Sequence, residues 1–281
     1  MTLQWTPLTP RIGAQLHTTA AELLDGSHAQ QIRDLLVERG VVIARGIGFD
    51  DEQQRAFTRT LGDLRVGRAK GRGDESGLLK VSMDRQVNPE YAEYFAGTFF
   101  WHIDGTYEAI PPFATVLSPR VLPPDGGQTE FANTYAAYED LQEDEQRHLE
   151  TLQAVHTMVA TMYPAVPDAR IEDFKVWMDY PQPTYPIVWQ HKSGRKSLVL
   201  STSVSHVLGV HPVDSRALLE GLMAHATADE YVYRHSWQLG DVLIWDNTGT
   251  MHRARPYDPD CDRVLHRFTL KGEEPIAAVT G

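Results

Sequence analysis

The feature that most constrains this chain is a row of short β-branched and aromatic runs in its centre and C-terminal third, each closed by a turn signal. Tyr185 to Gln190 and Ser197 to Leu200 flank a Lys192-Ser193-Gly194 turn. Four further runs close the chain, Tyr231 to His235, Asp241 to Trp245, Thr250 to Arg253 and Val264 to Leu270. Runs of this length joined by tight turns pair as antiparallel strands and bury one face by packing sheet on sheet. The helical signals are grouped near the start and inserted mid-chain. The pattern therefore predicts a mainly β protein with flanking helices, built as an antiparallel sandwich or jelly roll.

Helical periodicity predicts a first helix from Ser27, as N-cap, to Gly40, followed at once by a strand at Val41 to Ile43. Asp50 or Asp51 caps a second helix through Leu61. Residues 62–97 show little periodicity apart from Leu78 to Val81 and suit a surface or lid segment. Phe99 to Leu122, broken by Pro111-Pro112 and Pro119, reads as two strands with an irregular crossing, and Thr129 to Ala132 as a further strand. Tyr135 to Leu152 reads as one helix, and the proline-rich stretch from Tyr163 to Thr184 as a second covering loop. Asp214 caps a helix through Met223. No break in composition divides the chain, so 1–281 reads as a single domain with lid segments near 62–97 and 160–186.

Charge narrows the partners. With 26 Lys and Arg against 38 Asp and Glu, the net charge of −12 repels a phosphate backbone, so nucleic acid is not an expected partner. The densest basic run, Arg65, Arg68, Lys70 and Arg72, lacks interleaved aromatics and reads as a solvated loop. The single Cys261 cannot form an internal disulfide, which suits a reducing cytoplasm. No apolar run approaches the ~20 residues of a membrane helix, and Met1 to Pro10 holds no basic segment followed by an apolar one, so neither anchoring nor export is expected.

The chemistry begins at His102-Ile103-Asp104. The composition predicts roughly 1.6 His-x-acid matches by chance, and the chain has two, so the spacing alone decides nothing. Geometry separates them, because residues i and i+2 share a face in a strand but diverge on a helix. His148 and Glu150 fall in a helical stretch and read as a solvated pair, whereas His102 and Asp104 fall in an aromatic, strand-like one. His252, beyond the apolar run Gly240 to Asn247, offers a third ligand from a distant strand. Two histidines and a carboxylate with open positions form the facial triad of non-haem iron(II) oxygenases, although zinc accepts the same ligands. Arg263 and Arg267, four residues apart in a strand, present two guanidinium groups on one face with His266 opposite. Two inward arginines require two anions, supplied by ligands or by acids such as Asp258 and Asp262.

In this order the pieces resemble the taurine dioxygenase and herbicide (chlorophenoxyacetate) dioxygenase family. The resemblance rests on Val41 to Gly46, Trp101-His102-Ile103-Asp104-Gly105-Thr106, Leu122 to Thr129 with Ala136 to Tyr138, and Gly240 to Asn247 leading to His252 and Arg263. It implies a double-stranded β-helix (jelly-roll) core, with iron(II) as cofactor and 2-oxoglutarate and dioxygen as co-substrates. His102, Asp104 and His252 then hold the iron, Arg263 and Thr129 bind the distal carboxylate of 2-oxoglutarate, and Arg267 lies near the acidic end of the substrate. Phe99, Trp101, Tyr107 and Trp245 are candidate walls. The implied reaction oxidises, by hydroxylation, a C–H bond of a small carboxylate-bearing molecule, with succinate and CO2 as co-products. Taurine-type members bind the sulfonate with an upstream histidine, and this chain has none between His28 and His102, which disfavours taurine. Relatives in the family are commonly dimers or tetramers, so a homo-oligomer is expected. Two alternatives remain at this level: a zinc or manganese hydrolase or isomerase on the same scaffold, and a non-catalytic ligand-binding sandwich.

Overall fold

The computed structural model describes residues 2–67, 74–88, 94–258 and 261–280. Its strands are β1 (Gln4–Pro7), β2 (Ala14–His17), β3 (Val41–Ala44), β4 (Leu79–Val81), β5 (Ala114–Val121), β6 (Thr129–Asn133), β7 (Gln153–His156), β8 (Thr184–Pro186), β9 (Val188–Gln190), β10 (Lys196–Leu198), β11 (Val204–Val207), β12 (Val232–His235), β13 (Val242–Asp246), β14 (Thr250–Ala254) and β15 (Val264–Thr269). The helices are α1 (Ala20–Leu24), α2 (Ala29–Arg39), α3 (Asp51–Leu61), α4 (Thr134–Glu139), α5 (Glu143–Leu149), α6 (Met158–Met162), α7 (Ile171–Met178) and α8 (Pro212–Ala226). None of them is long and apolar enough to cross a membrane.

A seven-stranded sheet runs in the order β1-β2-β3-β13-β5-β15-β4, and a three-stranded sheet in the order β12-β6-β14. Period-two alternation decides what each face meets. Val42, Ala44, Val116, Val242 and Ile244 pack with Leu35, Leu36, Phe57 and Leu61 of α2 and α3 on the outer face. Their neighbours Val41, Ile43, Leu117, Leu243, Trp245 and Leu265 point the other way and pack with Phe131 of β6, so the two sheets close on one another. Each such fully buried aliphatic contributes about 1.5–3 kcal/mol. On the far side of the small sheet, Ala132 and Met251 pack against Ala136, Ala137, Leu222 and Ala226 of α4 and α8. There Glu130 is buried between Arg234 and Arg253, its direct cross-strand partners on β12 and β14. The alternation that turns Glu130 and Ala132 outward turns Thr129 and Phe131 inward.

Several local expectations are corrected. α2 opens at His28 rather than Ser27, since the His28 carbonyl accepts the first helical bond, from the Ile32 N–H at 2.9 Å. The stretch from Tyr135 to Leu152 is two helices: α4 ends at Asp140, and the acids Glu143, Asp144 and Glu145 favour a new helix N-terminus. The proline-rich stretch contains α7, since its prolines lie before and after the helix rather than inside it. α8 starts from His211 with Pro212 in the first position, leaving Asp214 in the first turn. From Phe99 to Leu122 only β5 is a strand; Tyr94–Phe99 forms a 3-10 helix and His102 makes an isolated bridge to His252. α3, by contrast, is capped by Asp50, whose carboxylate accepts from the Gln53 N–H while the Gln53 side chain accepts from Asp50 N–H. Arg68, Lys70 and Arg72 of the basic run lie outside the described residues.

Candidate active site

The site is assembled from the backbone outward. His102 and His252 exchange two main-chain hydrogen bonds, N–H to O at 3.0 and 2.9 Å, which sets their rings 4.1 Å apart. Asp104, in the turn that follows, brings one carboxylate oxygen to 3.9 Å from His102 Nε2 and the other to 3.7 Å from His252 Nε2. The three candidate ligand atoms lie within 4.8 Å of one another. His102 Nδ1 lies 2.8 Å from the Phe100 carbonyl, which only accepts, so the ring proton sits there and the Nε2 lone pair faces Asp104. His252 lies against Trp245, ring centres 4.7 Å apart, and near Phe131 at 6.2 Å, the two aromatics being themselves 5.5 Å apart.

Electrostatics favours the protonation state a metal needs. Burial pushes both imidazoles below their ordinary value, His252 well below it. Burial alone would raise Asp104, but Arg267 and then the two histidines outweigh it and hold the carboxyl well below the usual range. Two neutral nitrogen donors and one carboxylate, all three lining a cavity of about 300 Å³, fit a divalent ion with free coordination positions.

Arg263 and Arg267 enter the same cavity. The bulge between β15 and β5 places its extra residue, Arg120, on β5, so the alternation of β15 survives and His266 faces away to Asp51. Arg267 donates to the Asp104 carboxylate and, through Nε, to Thr269 at 3.1 Å. Its acid is therefore neither Asp258 nor Asp262. The Arg263 guanidinium lies 4.5 Å over the Tyr257 ring and donates to the Gly127 carbonyl at 3.2 Å. Its Nε is buried without a partner among the described residues, and a Cβ at Gly127 would come within 3.0 Å of it. A buried guanidinium with an unmet donor, opening on a cavity, is a place for a carboxylate.

The other candidates divide. Thr129, Tyr107 and Trp245 line the cavity. Trp101 is buried beneath Arg253, 4.6 Å from its ring centre, and Phe99 packs edge-on against Tyr257 at 5.8 Å. Neither is among the cavity-lining residues, where Phe95, Met158, Thr161 and Tyr180 stand instead. Sequence reasoning also missed Trp237, whose indole N–H donates to Thr129 Oγ1 at 3.0 Å. Its signal was present, since Tyr233, His235 and Trp237 continue a period of two.

Thr106 and Ser203 also line the cavity; Thr106 Oγ1 lies 3.1 Å from Ser203 Oγ, which lies 2.8 Å from His156 Nδ1. Burial pushes His156 down to about 4 from 6.5. The unfolded imidazole thus binds its proton at higher pH than the folded one. Stability from this group is complete above pH 6.5, declines by about 1.4 kcal/mol per pH unit on acidification, and levels off near pH 4. The difference in urea-unfolding free energy between wild type and His156→Gln is expected to trace that slope; parallel curves would reject it.

Comparison with known proteins decides the lineage. The model of the Taurine catabolism dioxygenase TauD, TfdA family matches residues 4–269. The chain belongs to this family. An α-ketoglutarate-dependent 2,4-dichlorophenoxyacetate dioxygenase from Burkholderia sp. (strain RASC) is 33% identical over 261 residues, covering 89% of this chain and 87% of that protein. An α-ketoglutarate-dependent sulfate ester dioxygenase from Pseudomonas putida is 32% identical, covering 96% and 90%. Among solved structures, AAD-2 in complex with Mn(II) and N-oxalylglycine superposes with a TM-score of 0.82 at 29% identity, over 99% of this chain and 100% of that one. As a TauD, TfdA member the chain is a 2-oxoglutarate-dependent dioxygenase, an oxidoreductase that uses iron(II), 2-oxoglutarate and dioxygen. The donor set described above suits that ion.

Proposed function

We propose that this protein hydroxylates a C–H bond of a small carboxylate-bearing organic molecule, converting 2-oxoglutarate to succinate and CO2. The observation that carries the reading is the convergence of an open His-Asp-His triad and a buried, under-satisfied arginine on one cavity. In this reading His102, Asp104 and His252 hold iron(II), and Arg263 with the Thr129 hydroxyl takes the distal carboxylate of 2-oxoglutarate. Iron(II) and 2-oxoglutarate together supply the activation of dioxygen. The chain's own work is binding, aiming and exclusion of water. Arg267 steadies Asp104 and adds positive charge for an anionic substrate, while Leu79, Val81, Phe95, Leu117 and Met158 make the wall apolar. Tyr107 and Trp245 complete that wall, to which Trp101 and Phe99 do not contribute.

The substrate class follows from the same surfaces: an organic acid with an apolar body. Relatives named for dichlorophenoxyacetate and for sulfate esters lend support, both being anions on apolar frames. The proposal includes a single domain with a double-stranded β-helix core, for which the closed pair of sheets is the support. Segments 62–97 and 160–186 act as lids; Leu79, Val81 and Phe95 come from the first and Thr161 and Tyr180 from the second. It also includes a cytoplasmic homo-oligomer, with the net charge of −12 arguing against nucleic acid.

The test is an anaerobic titration of the apoprotein with iron(II) and then 2-oxoglutarate. A weak visible metal-to-ligand charge-transfer band is expected, and candidate acids that perturb it identify the substrate. Bound iron(II) without the band would overturn the placement of 2-oxoglutarate at this triad and the Arg263–Thr129 clamp.

A further inference from the structure

Trp237 sits two residues beyond β12, in none of the roles assigned so far. Its indole N–H reaches Thr129 Oγ1 at 3.0 Å. An indole nitrogen can only donate, so at this contact the threonine oxygen must accept. The one hydroxyl proton of Thr129 is then free to point elsewhere, and Thr129 shares the cavity with Arg263. The tryptophan is itself held. The His235 ring meets it edge-on, centres 4.4 Å apart, and His235 Nε2 lies 3.1 Å from Asp241 Oδ2. A carboxylate only accepts, so that nitrogen carries the proton, and Nδ1 accepts from the Tyr233 hydroxyl at 3.1 Å. The same Asp241 oxygen receives the Gln238 N–H at 2.8 Å and Arg45 at 2.6 Å, which anchors the loop carrying Trp237.

We propose that Trp237 is a positioning residue that commits the Thr129 hydroxyl to donate toward the distal carboxylate of 2-oxoglutarate. The proposal rests on the 2-oxoglutarate reading of the site. Without the indole the hydroxyl can turn and present a lone pair, which repels a carboxylate. With it, the hydroxyl proton is turned away from the indole and can join the Arg263 donors, so the clamp prefers a carboxylate over groups that need an acceptor.

The test is calorimetric titration of 2-oxoglutarate into the iron(II)-loaded protein under anaerobic conditions. Trp237→Phe, which keeps a ring but no donor, is expected to weaken 2-oxoglutarate about tenfold and to leave iron(II) affinity unchanged. In a Thr129→Val background the same substitution is expected to have no further effect, the signature of two groups acting through one contact. Trp237→Leu carries the same expectations should the phenylalanine variant not fold. Unchanged affinity in Trp237→Phe, or an equal loss in both backgrounds, overturns the proposal, because a packing role does not depend on the Thr129 hydroxyl. A wild-type protein that binds iron(II) but no 2-oxoglutarate overturns the functional reading itself, a result distinct from either.

Discussion

Replacing Arg263 by Met is expected to weaken 2-oxoglutarate at least about a hundredfold while leaving iron(II) binding intact. The guanidinium supplies charge-assisted hydrogen bonds worth about 1.5–3 kcal/mol each, and a thioether supplies none. The fold should tolerate the change. Among the described residues no carboxylate pairs with Arg263, a buried cation that rests on the Tyr257 ring and the Gly127 carbonyl. Methionine removes that desolvation burden and still packs on the ring, so the thermal midpoint of the ligand-free protein should stay level or rise. Arg263→Lys keeps the charge but loses the planar fork, and should fall between the two. The measurement is calorimetric titration with 2-oxoglutarate; a loss of less than a few-fold would remove Arg263 from the clamp.

Gly249→Ala is expected to cost about 4 kcal/mol or more of folding stability, read as a shift in the urea midpoint. Gly249 closes the turn between β13 and β14, and a Cβ there would lie 1.7 to 2.3 Å from three ring carbons of Tyr135. That ring cannot retreat. It is 1% exposed, meets His191 with centres 4.9 Å apart, and carries the Arg195 guanidinium 4.3 Å from its centre. Its hydroxyl donates to Asp246 at 2.9 Å, and Asp246 also accepts from the Thr248 N–H and hydroxyl at 2.7 Å. Either the ring leaves this network, or the turn shifts and takes His252, three residues on, out of its bridge with His102. Metal affinity should therefore fall together with stability. Tyr135→Ala opens the same space, so the double variant is expected to be much less damaged than the sum of the two. A cost below about 1 kcal/mol for Gly249→Ala alone would show a slack turn.

The site was legible where chemistry follows period and order along the chain. The spacing of His102 and Asp104, the strand that delivers His252, and the four-residue step from Arg263 to Arg267 could all be read without coordinates. They could be read because an inward face repeats every second residue. The expected strand around His102 is a single bridge, yet the two candidate ligands converge, since the bridge fixes one and a turn carries the other. What stayed hidden depends on which strands become neighbours. That Arg267 meets Asp104, or that Trp237 meets Thr129, follows from β15 lying beside β5 and β12 beside β6, and nothing local to any of these residues encodes it. α7 was hidden for a different reason: prolines suggest a loop by number but terminate a helix by position.

The sheet order has a further consequence for how the protein is made. β13 fills the gap between β3 and β5, both of which are complete by Val121. A chain leaving the ribosome carries those two strands with open edges until nearly its whole length has been synthesised, a template for mispairing with other chains. His102 and Asp104 emerge early, but His252 and Arg263 come after β13, so a half-made protein has neither a complete metal triad nor an anion clamp. Folding dominated by such distant pairings is slow, on the order of milliseconds to seconds. On the proposed assignment, a product terminated before β14 lacks one of its three metal ligands and is expected to hold iron(II) more weakly than the full chain.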